Sequence, residues 1–322
     1  MILLLLACTD RAKPDDSATT TTSPAEFGVL ADQIPGGTLL SAWSDGDLVR
    51  MVGGQLDGSA GMMVVYDGSS LCTDDSFDAA LWWINGAAPG DWYAVGAHGT
   101  IIHSVDGVRS DESVASDATL YGVYVDGDVV WAVGGVASDN TGEIWRKEGG
   151  AWSLYASPPA TVFKVWDGWF VGNGYAARLE GDTLVDRTPP DSPRLLTVRG
   201  RSDTDVWAVG GDAGPIVKHW DGVAWSDPDV DPYCASRPMN GVWTAPDAPV
   251  WLAGMFGNVG GLDGDTWICP DYPVTQEHFH AAWPHGDEVL FVGGNLFESS
   301  GNYGTIVRHP APATPLTPTS CP

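Results

Sequence analysis

Residues 195–227 read LLTVRGRSDTDVWAVGGDAGPIVKHWDGVAWSD. At the centre an apolar run, VWAVGG, ends in two glycines; further on comes Asp221-Gly222, with Trp225 just past it. Asp-Gly between two apolar runs is a strong hairpin signal, because both turn positions need positive φ and these residues tolerate it. With the apolar run that opens at Leu195, the stretch predicts four short antiparallel strands joined by turns.

The unit recurs along the chain. Its core run reappears as RMVGG (50–54), YAVGA (93–97), WAVGG (131–135), WFVGN (169–173), WAVGG (207–211), WLAGM (251–255) and LFVGG (290–294). The residue before the first Gly falls at 52, 95, 133, 171, 209, 253 and 292, intervals of 43, 38, 38, 38, 44 and 39, which is the length of a propeller blade. An acidic residue and Gly follow six of the runs, at Asp67-Gly68, Asp106-Gly107, Glu148-Gly149, Glu180-Gly181, Asp221-Gly222 and Asp263-Gly264. A strand that usually carries an aromatic precedes each run: Trp43, Trp83, Tyr124, Trp166, Trp243 and Trp283, with Val198 the exception. The fold class is therefore all-β, a seven-bladed β-propeller of four-stranded antiparallel blades. The seventh copy holds three strands and then breaks into PAPATPLTPTSCP, whose prolines cannot serve a central strand. Residues 26–31, EFGVLA, are the obvious donor of its fourth strand, so an N-terminal strand closes the ring.

The Gly-Gly after a β run, followed by an aromatic strand and a Trp beyond the turn, resembles kelch-type repeats. The tandem DVWAVGG…HWDGxxW form is similar to propeller domains of bacterial envelope lipoproteins. The first residues agree with that resemblance: Leu5-Leu6-Ala7-Cys8 resembles a lipobox, in which the cysteine is lipidated. Residues 9–24, TDRAKPDDSATTTTSP, are too polar to bury enough surface to offset ordering. The implied layout is a signal peptide over 1–8 ending at the lipobox Cys8, a disordered linker over 9–25, the propeller over 26–309 and a Pro-rich tail over 310–322. The resemblance implies a monomer held by a lipid anchor in the bacterial envelope, at the outer membrane or cell surface.

Composition narrows the partners. The net charge is −27 over 322 residues, so a phosphate backbone or an anionic membrane surface is repelled at long range. Hydrophobic residues at 43% and charged residues at 18% exclude a disordered chain. Besides Cys8 there are four cysteines, an even number that fits an oxidising compartment. Three pairings are possible. Cys72 lies at the outer strand of blade one and Cys321 just beyond blade seven, neighbours in a closed ring, and Cys234 and Cys269 leave blades five and six. The expected disulfides are therefore Cys72–Cys321 and Cys234–Cys269.

Most of the 16 tryptophans stand at fixed register, as in the column Tyr93, Trp131, Trp169, Trp207 and Trp251, and fixed register points to packing between blades. His278 and His280, with His285, are the one histidine cluster; at i and i+2 the first two are expected on one face of an innermost strand, without an assured third ligand. The acidic groups Asp227, Asp229, Asp231 and Asp74, Asp75, Asp78 lack the Gly and Glu of a calcium loop. No metal and no cofactor is expected. Arg194, Arg199 and Arg201 all belong to blade five, unlike the arginines of a sialidase site, and no nucleophile elbow or phosphate loop appears. No catalytic residue is assigned.

Variation is concentrated on one face, formed by the loops after the second strands and by the crossovers between blades: 54–61, 135–142, 255–260, 294–304 and 226–239. Irregular loops on a rigid scaffold are where recognition usually lives. Tyr233, Phe256, Phe297 and Tyr303 stand there outside any repeat register and are the expected contacts with a ligand or partner. The expected function is a non-catalytic binding or scaffold module for an envelope protein or glycan partner. The alternative is an extracellular glycan hydrolase or lyase using carboxylates near the central channel.

Overall fold

The computed structural model describes residues 26–191, 193–297 and 302–321. The signal segment with Cys8 and the linker 9–25 lie outside the described residues. Seven antiparallel sheets stand around a central channel, each starting with its innermost strand: Thr38–Ser44, Leu81–Ala88, Thr119–Asp126, Val162–Trp166, Leu195–Ser202, Met239–Trp243 and His278–His285. The chain is a seven-bladed β-propeller, as the repeat spacing predicts. No helix among the described residues is long and apolar enough to cross a membrane.

Ring closure follows the expected route. Gly28–Ile34 becomes the outermost strand of blade seven, antiparallel to Gly304–His309 with Gly28 opposite Arg308 and Ile34 opposite Gly304. That register carries the chain from one face of the disc at residue 28 to the other at residue 34. Residue 26 therefore leaves from the face opposite the loops that follow the second strands.

The Pro-rich tail folds back onto the disc. From Pro310 it runs along blade seven, where the Ala311 N–H donates to the Glu26 carbonyl at 2.7 Å and the Leu316 N–H to the Leu30 carbonyl at 2.6 Å. It then lays Thr319–Ser320 parallel to Leu71–Phe77, so blade one has five strands rather than four. The prolines bar the tail from a sheet centre but not from an edge. Cys321 closes a disulfide with Cys72 (Cα–Cα 4.9 Å), and Cys234 with Cys269 (Cα–Cα 5.0 Å).

The core is divided into wedges between blades. Tyr93, Trp131, Trp169, Trp207 and Trp251 are all buried there. Trp169 packs edge-on against Trp220 and Trp225, with centroids 5.2 and 5.3 Å away, and Trp131 meets Phe170 at 5.5 Å. Such rings bury large areas and prefer tilted contacts, which fits wedges that widen outward.

Candidate functional site at the channel mouth

The repeated glycine builds the site. In each blade the first Gly of the core run faces the start of the innermost strand: Gly53 opposite Leu39, Gly96 opposite Leu81, Gly134 opposite Leu120, Gly172 opposite Val162, Gly210 opposite Leu195, Gly254 opposite Met239 and Gly293 opposite Phe279. A Cβ at six of them would lie about 2 Å from the carbonyl oxygen one residue earlier on that strand, for instance 1.9 Å from Arg194 O at Gly210. Only glycine admits that approach. Immediately after the paired residue the register slips by one, a β-bulge, in all seven blades. A bulge leaves one residue unpaired and re-aims its side chain. The seven residues so displaced are Leu40, Trp82, Tyr121, Phe163, Leu196, Asn240 and His280.

These seven line one cavity of about 450 Å³ at the channel mouth. Leu56, Ala137, Asp212, Met255, Leu296 and Phe297 extend its wall outward from the loops after the second strands. One side is an aromatic arc across blades two to four. Trp82 meets Tyr121 edge-on at 4.9 Å, Tyr121 meets Phe163 at 5.3 Å, and the Arg194 guanidinium lies 5.2 Å over the Phe163 ring. The other side carries Asn240 and His280, the Asn240 amide already donating to the Phe279 carbonyl at 2.9 Å.

The floor is formed by Trp83 and Lys164, which also belong to a deeper constriction with Tyr124, Arg199, Trp243 and Trp283. That constriction holds only about 10 Å³, room for about one water, so the mouth is a blind pocket. Lys164 Nζ donates to the Tyr121 carbonyl at 2.6 Å and sits 4.1 Å from the Trp83 ring centroid. Burial pulls its ammonium down to about 7. His280 is held neutral by burial, reinforced by the charges of Lys164 and His278, at about 3. Below them burial brings the Arg199 guanidinium to about 10, and it lies 5.1 Å over the Trp283 ring.

Of the four aromatics expected from the loops, Phe297 lines the cavity. Phe256 stands beside it, the two rings flanking the buried His278 imidazole at 4.8 and 4.6 Å. Phe256 adopts φ 56°, a left-handed backbone held by its own N–H donating to His278 Nδ1 at 3.2 Å. Tyr303 is set behind this cluster, its hydroxyl donating to Glu277 at 2.8 Å. Tyr233 is exposed in the crossover from blade five to six, beside the Cys234 disulfide, and shares no ring contact with the others among the described residues. The expectation that His278 and His280 share a face fails because the bulge falls between Phe279 and Ala281. His280 faces the cavity, whereas His278 packs between the two rim phenylalanines. No group of three His, Cys, Asp or Glu side chains suited to a metal comes together among the described residues.

Sequence reasoning passed over the bulge column itself. Trp82-Trp83 is its visible sign: on a regular strand adjacent side chains point to opposite faces, and the bulge lets both tryptophans line one cavity.

No protein-family model matches the chain, and no curated protein matches it. Solved structures do. A structure described as YCF48 bound to D1 peptide superposes with a TM-score of 0.64 at 16% identity, covering 89% of this chain and 98% of that one. The WD40 β-propeller domain of Doa1 gives 0.63 at 10%, covering 88% and 97%. An extracellular domain of a two-component system from B. thetaiotaomicron gives 0.63 at 10%, covering 88% of this chain and 39% of that one. These likenesses are of fold.

Proposed function

We propose that this chain is a non-catalytic recognition module that captures an exposed segment of a protein partner in the channel mouth. The observation that carries the reading is the cavity of about 450 Å³ lined by seven bulged residues of unlike chemistry. A concave, mainly apolar site with a few placed polar groups is the usual form of a binding pocket. A protein segment suits it better than a glycan, since the amide of Asn240 is already engaged and the aromatic arc presents ring edges as well as faces. Among the described lining residues the one carboxylate is Asp212, paired with Arg194 at 2.9 Å. A glycoside hydrolase needs two positioned carboxylates, so this lining favours binding over hydrolysis. One of the solved propellers of like fold is described as bound to a peptide.

The setting we propose is the bacterial envelope, with Cys8 as the lipidated residue and residues 9–25 as the tether, as the kelch-like and lipoprotein resemblance implies. Two disulfides support an oxidising compartment. An exit at residue 26 on the far face supports a mouth directed away from the anchor.

The test is photo-crosslinking in envelope extract with the full chain carrying Cys8→Ser. A crosslinker at Leu56 or Phe297 should give saturable adducts with a discrete protein, and one at Val108 or Val223, exposed in hairpins on the opposite face, should not. Trp82→Ala with Phe163→Ala should weaken capture at least tenfold. Equal adducts from both faces would overturn the reading.

A further inference from the structure

The chain has many acids to pair with few lysines, yet one lysine has been left without any. Lys147 Nζ reaches Glu112 at 2.7 Å, and Lys218 Nζ reaches Asp191 at 2.8 Å and Asp227 at 2.7 Å. Lys164, only 8% exposed, has no ion-pair partner among the described residues. Of its three N–H groups one goes to the Tyr121 carbonyl, and the ammonium rests against the Trp83 ring. A buried charge without a counter-ion is costly, and a chain with 42 acidic residues could easily have supplied one. The neighbouring groups share the deficit. His280 Nε2 and Arg199 Nε are buried without a hydrogen-bond partner among the described residues. Lys164 and His280 line the mouth cavity, and Lys164 and Arg199 line the constriction beneath it.

We propose that the cavity floor is a carboxylate site: a carboxylate borne on an aromatic or apolar body enters through the mouth and accepts an N–H from Lys164. The body packs against Trp82, Tyr121 and Phe163. The ligand supplies the anion that the protein lacks, and the aromatic arc supplies the wall its body needs. This inference rests on the channel mouth being the recognition site and specifies what that site selects. The carboxylate belongs either to an acidic side chain of the captured protein segment or to a free aromatic acid.

The test uses the full chain with Cys8→Ser and ligand-observed fluorine NMR. The probes are 4-fluorophenylacetate and its uncharged amide, 4-fluorophenylacetamide. The acid should bind at least tenfold more tightly than the amide. In Lys164→Met that preference should vanish, and the thermal midpoint should not fall, since an apolar chain of similar length replaces an uncompensated charge. A second pair separates the sources: the blocked peptides Phe-Asp-Phe and Phe-Asn-Phe. Displacement of the acid probe by the Asp peptide at a lower concentration than the probe's own half-saturation assigns the site to protein side chains; weaker displacement assigns it to a free acid. Equal binding of acid and amide, or a preference that survives Lys164→Met, overturns the carboxylate site and leaves recognition at the mouth standing. Binding of neither probe, with no crosslinking at Leu56 or Phe297, removes both.

Discussion

Two columns of the repeat, on the first and second strands of the blades, have opposite characters. The wedge column holds Tyr93, Trp131, Trp169, Trp207 and Trp251, five buried aromatics doing one job, the filling of an interblade gap. The bulge column holds Leu40, Trp82, Tyr121, Phe163, Leu196, Asn240 and His280, six residue types in seven positions around a single cavity. Backbone geometry is shared, so the difference lies in what each column faces. Each wedge meets a similar neighbour, and five of the seven take an aromatic there, with Arg50 and Leu290 in the other two. If the mouth takes a ligand, as proposed above, that ligand lacks sevenfold symmetry, and uniform residues there would present no distinctive shape. Repetition thus builds the scaffold, and departure from repetition marks the surface that selects.

The largest expected effect falls on the wedge. Trp169→Ala should destabilise the fold by about 3–5 kcal/mol, read as a drop in the denaturant midpoint, while the molecules that remain folded keep their affinity for the captured segment. Loss of affinity without loss of stability would erase the distinction between the columns. Gly210→Ala tests the link between them, because its Cβ would stand 1.9 Å from Arg194 O. It should cost about 1–3 kcal/mol and also weaken capture, since the blade five bulge that presents Leu196 must shift. Stability lost with capture unchanged would show that the bulge does not set the cavity.

The smallest effect is electrostatic and concerns Lys164. Its ammonium loses its proton near pH 7 in the fold, against about 10.5 for an exposed lysine. Below that the folded protein carries the whole cost of the buried charge; between about 7 and 10.5 the unfolded chain binds the extra proton, so stability rises with pH. Wild type should therefore gain about 1 kcal/mol relative to Lys164→Met between pH 7 and pH 8. A difference between the two that stays constant over this range would mean that Lys164 is charged throughout.

Blade number, strand order, the closing strand and both disulfides are legible in the sequence because each rests on periodicity or on adjacency around a ring. The glycine column is legible too, but its purpose is not: a β run ending in Gly-Gly reads as a strand end, and only the approach of Thr38 O to Gly53, or of Arg194 O to Gly210, shows that it receives a bulge. Period-two reasoning misplaces whatever follows the bulge, so it puts His278 and His280 on one face and leaves Trp82 unmarked. Irregularity of the loops singles out Phe297, which lines the rim, and equally Tyr233, which stands apart from it. Burial of Lys164 has no local signature, because its surroundings come from strands far apart in the chain.

The C-terminal clasp also decides how the molecule carries load. A pull on residue 26 is borne by Gly28–Ile34, which lies between Gly304–His309 on one side and the tail on the other. The tail is bolted to blade one by Cys72–Cys321, a covalent link across 249 residues of sequence. Tension applied at residue 26 is thereby shared between blade seven and, through the tail, the rim of blade one.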